Sequence, residues 1–174
     1  MTSLKAVAIS GSPRSPSKSK ALAEAMLEAL GAAGCETHLI DVAALPAAAL
    51  LAREPSPEIE AAIATIGEAQ IVVAATPTYR ALYTGALKCL FDLMPQSHLA
   101  GKVCVPLQTG IAPQHALAVD YGLRPLFMSL EGIPLAGLYA TDAEFTEGIP
   151  SADLRARVKV LAAEAIRLAA QAHS

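Results

Sequence analysis

Short apolar, β-branched runs alternate with longer stretches of helical period along this chain. That alternation predicts right-handed βαβ crossovers around a parallel sheet buried on both faces. Five strand-type runs can be placed: Leu4 to Ser10, Thr37 to Asp41, Ile71 to Ala75, Lys102 to Gln108 and Leu135 to Tyr139. Helical spacing covers Lys18 to Ala33, ending near Gly34, and runs again from Ser56-Pro57, an N-cap followed by a first-turn proline, to about Ala69. It returns over Gly85 to Met94, stopped before Pro95, then over Gln114 to Leu130, and over Ser151 to Ala172 with Ser151 as cap. Pro106 sits inside the fourth strand run and lacks an N–H for the ladder, the one feature that argues against that strand. The expected fold is α/β, a three-layer sandwich around a five-stranded parallel sheet.

Composition narrows the class. A chain of 174 residues, 53% hydrophobic, fits a single domain over 1–174 with interior enough for one such sheet. A formal charge of −3 and no cluster of Lys or Arg argue against a nucleic-acid backbone as partner. The longest uncharged apolar stretch, Val42 to Ala52, is interrupted by Pro46 and falls well short of the about 20 residues that span a bilayer. The N-terminal residues run into a strand pattern with no signal-peptide architecture, so a cytoplasmic protein is expected. Cys35, Cys89 and Cys104 are odd in number and widely spaced, which suits reduced thiols, and with the four histidines they form no metal-ligand spacing.

Ligands of open parallel sheets lie outside the carboxyl ends of the strands, and three of the loops there carry signals. The first, Gly11 to Ser19, combines hydroxyls, the guanidinium of Arg14 and the amino end of a helix, which are anion-binding parts. It lacks G-x-G-x-x-G and G-x-x-x-x-G-K-[ST], so a terminal monophosphate such as that of FMN fits better than a dinucleotide or a triphosphate. The alternative is that its serines and prolines only turn and cap. The loop from Thr76 to Lys88 leaves a buried strand and returns to helix only at Gly85; apart from Pro77, its amides can line the polar edge of an isoalloxazine. Tyr79 and Tyr83 either add flat contact there or pack against the following helix. After the fourth strand, Gly110 permits close backbone approach and Thr109 can hydrogen-bond a flavin's pyrimidine side. His115, at a helix start, reads as a capping or surface residue more readily than a catalytic one.

Five segments together carry a resemblance: G-S-P-R-x-P-S-x-S from Gly11, A-T-P-x-Y from Ala75, Y-x-G-A-L-K from Tyr83, G-K-V from Gly101 and L-A-V-D-Y-x-L-x-P from Leu117. The chain resembles the NAD(P)H-dependent FMN reductases of flavodoxin-like fold, most nearly those serving two-component alkanesulfonate monooxygenases. The resemblance implies that Ser12, Arg14, Ser17 and Ser19 hold the FMN phosphate, that Pro77, Thr78, Tyr79 and Arg80 cradle the ring, and that Thr109 and Gly110 complete the pocket. It also implies dimers paired into tetramers, with Tyr121 of a helical insertion at that interface near the flavin. Pro125 gives an independent hint, because a proline inside a helical pattern costs about 3 kcal/mol unless accommodated, and a π-type bulge around Tyr121 would accommodate it. Ordinary core packing of Tyr121 is the alternative.

Ile111 stands where relatives repeat glycine, Thr78 and Arg80 replace commoner residues, and the region after Tyr139 is short. Hydride passes directly from nicotinamide to flavin in this chemistry, so no catalytic acid or base is expected on the protein. Three functions follow as expectations. In the first, FMN is an exchangeable substrate reduced by NAD(P)H and handed to a monooxygenase. In the second, bound FMN passes electrons to quinones, azo dyes or metal oxyanions. In the third, the chain is a flavodoxin-type carrier, against which Arg14 and the modest charge count. No 2′-phosphate site is recognisable that would separate NADH from NADPH.

Overall fold

The computed structural model describes residues 3–172, and His173 lies outside them. Strands β1 (Lys5–Ser10), β2 (Glu36–Asp41), β3 (Ile71–Pro77) and β4 (Val103–Gly110) pair in parallel, and a fifth strand follows in two pieces, β5 (Ile133–Pro134) and β6 (Leu138–Thr141). The order is β2-β1-β3-β4-β5, with β6 continuing along β4 beyond β5. Strand order reverses at β1 and β3, so a crevice opens outside their carboxyl ends.

Alternation along the strands divides the interior into two cores. Ala6, Ala8, Val73, Val105 and Leu107 face α1 (Lys18–Ala32) and α6 (Ala152–Ala172), meeting Leu22, Met26, Leu154 and Val158. Val7, Ile9, Val72 and Ala74 face the other layer. That layer contains the short α2 (Ala47–Leu50), α3 (Pro57–Glu68), α4 (Gly85–Asp92) and α5 (Arg124–Met128). There Phe91 and Phe127 meet edge to face at 5.7 Å. Caps fix where the helices start: Ser17 accepts from the Lys20 amide, Ser56 from Ile59, and Thr84 from Leu87. Pro57 and the first-turn acids Glu58 and Glu60 add to the start of α3.

Two sequence expectations need correction. The fifth strand, expected unbroken from Leu135 to Tyr139, is split, and the split answers the question raised by Pro106. That proline stands where β5 has ended and β6 has not begun, so its missing N–H leaves no gap in a continuous ladder. Gly137 fills the break at φ +78°, so close that a Cβ there would lie 2.4 Å from the Pro106 carbonyl oxygen. The helix expected over Gln114 to Leu130 is also broken. It consists of a 3₁₀ turn (Pro113–Ala116), a π turn (Val119–Leu123) and α5. The Arg124 amide reaches five residues back to the Val119 carbonyl, and this widening is what lets Pro125 follow without a donor. Tyr121 lies in the π turn and is 77% exposed, so it is not core packing.

Beyond β6 a small antiparallel hairpin, β7 (Phe145–Thr146) with β8 (Ile149–Pro150), leads into α6. No helix among the described residues is long and apolar enough to cross a membrane. Cys35, Cys89 and Cys104 are free thiols, and burial pushes that of Cys104 up to about 12, which keeps it protonated and unreactive.

Candidate functional site

Among the described residues, seven of the eight buried polar side chains stand at the carboxyl edge of the sheet or on the elements that meet it: Ser10, Ser12, Ser19, Thr76, Thr84, Gln108 and Thr109. Only Ser56, a helix cap, lies elsewhere. An unsatisfied buried polar group costs about 1–3 kcal/mol, so such groups gather where a fold has a use for them. Two of them have atoms with no partner among the described residues, the Ser10 hydroxyl and the Gln108 carbonyl oxygen.

The first loop is pinned at its root. The Gly11 amide donates to the Ala75 carbonyl at 2.8 Å, and the Thr84 hydroxyl donates to the Gly11 carbonyl. Beyond it, Ser12 Oγ accepts from the Arg14 amide at 3.2 Å, which turns the chain toward α1. Ser17 and Ser19 place their hydroxyls 3.0 Å apart on the first turn of that helix. The amides of Lys18 and Ser19 find no acceptor within the described chain, so they remain free at the positive end of the α1 dipole. The neighbouring lysines are already engaged, Lys18 with Asp142 at 3.0 Å and Lys20 with Asp41 at 2.7 Å. Arg14 is exposed and makes no ion pair among the described residues, so it supplies the loop's free cation. Hydroxyls, unpaired amides and a guanidinium line this cup, and they are the donor types by which proteins hold phosphate-sized anions.

The loop after β3 is held against the loop after β4. The Thr78 amide donates to the Thr109 carbonyl at 2.7 Å, and Gln108 Nε2 donates to Thr78 Oγ1 at 3.0 Å. Residues 79–82 then form a tight turn closed by Tyr79 N–H to Leu82 O at 2.8 Å and by the reciprocal bond at 3.2 Å. Both central residues are left-handed, Arg80 at φ 48° and Ala81 at φ 73°, in a turn geometry that Asn-Gly would adopt most easily. Left-handed conformation costs non-glycine residues about 1–3 kcal/mol each, and such strain gathers at functional sites. The amides of Arg80 and Ala81 have no acceptor within the described chain. At Gly110 the backbone passes so near Tyr139 that a Cβ would sit 2.4 Å from its hydroxyl. That hydroxyl donates to the Ala112 carbonyl at 2.9 Å, and burial pushes the phenol pKa up. The π turn meets the same loop, because a Cβ at Gly122 would lie 2.9 Å from Leu82 Cδ2.

The expected site residues therefore come together on one edge: Ser12, Arg14, Ser17 and Ser19 on the first loop, Pro77, Thr78, Tyr79 and Arg80 on the second, Thr109 and Gly110 on the third, with Tyr121 on the adjoining π turn. Tyr83 is half-buried against the α4 layer, which makes it a packing residue, whereas Tyr79 is 39% exposed. His115 lies in the 3₁₀ turn, its Nδ1 buried without a partner among the described residues. Sequence reasoning missed Ser10, Thr76, Thr84 and Gln108. A polar residue inside an otherwise apolar strand run was the signal available for Gln108, and a hydroxyl directly before Gly85 was the signal for Thr84. A cavity of about 740 Å³ is a different feature. It runs between α1 and the β7–β8 hairpin, is flanked by Glu24, Glu28 and Arg155, and touches the anion cup only along 15–18.

An open parallel sheet in 2-1-3-4-5 order, with an anion cup and a rim of free amides at its switch point, defines a flavodoxin-like nucleotide-binding protein. The family model for NADPH-dependent FMN reductase matches residues 4–147, and the chain belongs to that family. It is 40% identical over 171 residues to the NADH-dependent FMN reductase SfnF of Pseudomonas fluorescens strain Pf0-1, covering 95% of this chain and 91% of that one. To the FMN reductase (NADPH) of Escherichia coli K12 it is 38% identical, covering 81% and 75%. Among solved structures it is similar to an NADH:FMN oxidoreductase (EmoB) in its apo form, with a TM-score of 0.86 and 33% identity over 93% of this chain and 88% of that one. The chain is thus an NAD(P)H:FMN oxidoreductase.

Proposed function

We propose that residues 1–174 act as one flavin-binding unit that reduces FMN as an exchangeable substrate and releases it, reduced, to a partner monooxygenase. The observation that carries the binding site is the first-loop cup, whose free amides and unpaired Arg14 share a sheet edge with the free amides of Arg80 and Ala81. Ser12, Arg14, Ser17 and Ser19 hold the phosphate. Pro77, Thr78, Tyr79 and the backbone of Arg80 support the ring, with Thr109 and Gly110 closing the side against β4. When bound, FMN accepts the hydride of reduced nicotinamide. The amides at 80 and 81 donate toward the ring's polar edge and favour negative charge there. Tyr79, Leu82, Ile111, Leu117 and Tyr121 leave an exposed apolar rim beside the pocket. That rim supports both easy flavin exchange and burial in a homodimer or homotetramer. A monooxygenase of sulfonate metabolism is the partner class suggested by the sequence motifs, and a cytoplasmic setting suits such a partnership.

The second reading, a reductase of quinones, azo dyes or metal oxyanions, retains its FMN. Anaerobic NADPH or NADH oxidation separates the two. Exchange predicts oxidation in proportion to added free FMN through many equivalents, whereas retention predicts a stop near one equivalent per subunit.

A further inference from the structure

Of the chain's 13 Lys and Arg side chains, four make no ion pair and no side-chain hydrogen bond among the described residues: Arg14, Arg53, Arg80 and Lys159. Arg53 follows α2 and Lys159 lies within α6, away from the loops of the site. The remaining two stand on different loops at the carboxyl edge of the sheet. Arg14 belongs to the cup at the start of α1, where one phosphate consumes its charge. Arg80 is a second cation that the flavin monophosphate does not require.

Its setting is unusual. Arg80 occupies the tip of the 79–82 turn with φ 48°, beside Ala81 at φ 73°, so the turn bears backbone strain that asparagine or glycine would relieve. The side chain is exposed, and no carboxylate among the described residues neutralises it. The hydride donor is itself an anion with several phosphate charges, and it approaches a protein of net charge −3. Local cations beside the ring must offset that repulsion. A guanidinium matches phosphate oxygens with two parallel donors.

We propose that the Arg80 guanidinium binds a phosphate of the nicotinamide dinucleotide that delivers the hydride, leaving Arg14 to the flavin phosphate. The assignment rests on the flavin reading given above, and the test separates the two. Arg80→Asn removes the charge while keeping a residue that tolerates the left-handed region, so the turn survives. FMN affinity, read by quenching of flavin fluorescence, is expected to stay within about twofold of wild type, and KM for the nucleotide to rise about tenfold or more with little change in kcat. Arg80→Lys is expected to recover much of the loss, because a point charge replaces the fork. A rise for NADPH alone assigns the contact to the 2′-phosphate; an equal rise for NADPH and NADH assigns it to the pyrophosphate. The proposal is overturned if neither KM moves, or if FMN affinity falls by the same factor as nucleotide affinity. Failure of the wild-type protein to quench FMN at all would instead remove the flavin reading beneath it.

Discussion

Replacing Arg14 and Ser12 together by alanine is expected to weaken FMN binding by roughly a hundredfold or more while leaving the fold intact. A charge-assisted hydrogen bond contributes about 1.5–3 kcal/mol, or roughly ten- to a hundredfold in affinity, and the hydroxyl adds a smaller neutral bond. Arg14 is exposed and its side chain has no hydrogen bond or ion pair among the described residues, so its loss removes none. Ser12 contributes only local bonds to the Arg14 backbone, and thermal unfolding should therefore move little. A control in the large groove sharpens the result. Glu28→Ala, which breaks a long 3.8 Å pair with Arg155 on the surface, is expected to leave FMN affinity within about twofold. Fluorescence titration of all three proteins checks both statements. Equal weakening in the groove variant would move the phosphate out of the cup.

The second large effect concerns stability. Gly137→Ala is expected to destabilise the fold by about 3 kcal/mol or more, because a left-handed alanine costs about 1–2 kcal/mol and the added methyl overlaps backbone that cannot move away. At φ +78° its Cβ would meet the Pro106 oxygen and Cγ, both at 2.4 Å, in the middle of the sheet. Gly34→Ala provides the comparison. It has φ +91° with nothing within 4 Å of the added atom, so only the backbone strain of about 1 kcal/mol applies. Urea midpoints for the two variants would separate strain from overlap, and similar losses would show that Pro106 does not hold Gly137. The consequence extends to the site, since the break at Gly137 sets the start of β6 and so brings Tyr139 beneath Gly110.

The alternation of apolar runs was enough to place β1 to β4 and the helices α1, α3, α4 and α6 within a few residues, because capping residues such as Ser17, Ser56 and Thr84 act locally. The split edge strand was not legible. Pro106 announces a disturbance, but only its neighbour across the ladder shows that Gly137 absorbs it. Pro125 signalled the π turn correctly, since a missing donor inside a helix has few remedies, yet nothing nearby announced the 3₁₀ turn at Pro113–Ala116. Within the site, Arg14 and the loop serines were readable from residue type and position after a strand. The strained 79–82 turn was hidden because Arg-Ala is not a sequence that calls for left-handed conformation, and the tertiary bond from Thr78 to Thr109 holds its base in place. Gln108 was hidden for a related reason: its bond to Thr78 exists only once β3 and β4 are side by side.

The central claim is that the three loops at the carboxyl edge converge on one FMN. A crystal structure of the protein soaked with FMN tests it most directly. The phosphate should lie within hydrogen-bonding distance of the Ser12, Ser17 and Ser19 hydroxyls and the Arg14 guanidinium, with the ring's polar edge against the amides of Arg80 and Ala81. Electron density for the flavin in the groove between α1 and the β7–β8 hairpin, with the loop at 79–82 untouched, would contradict the account.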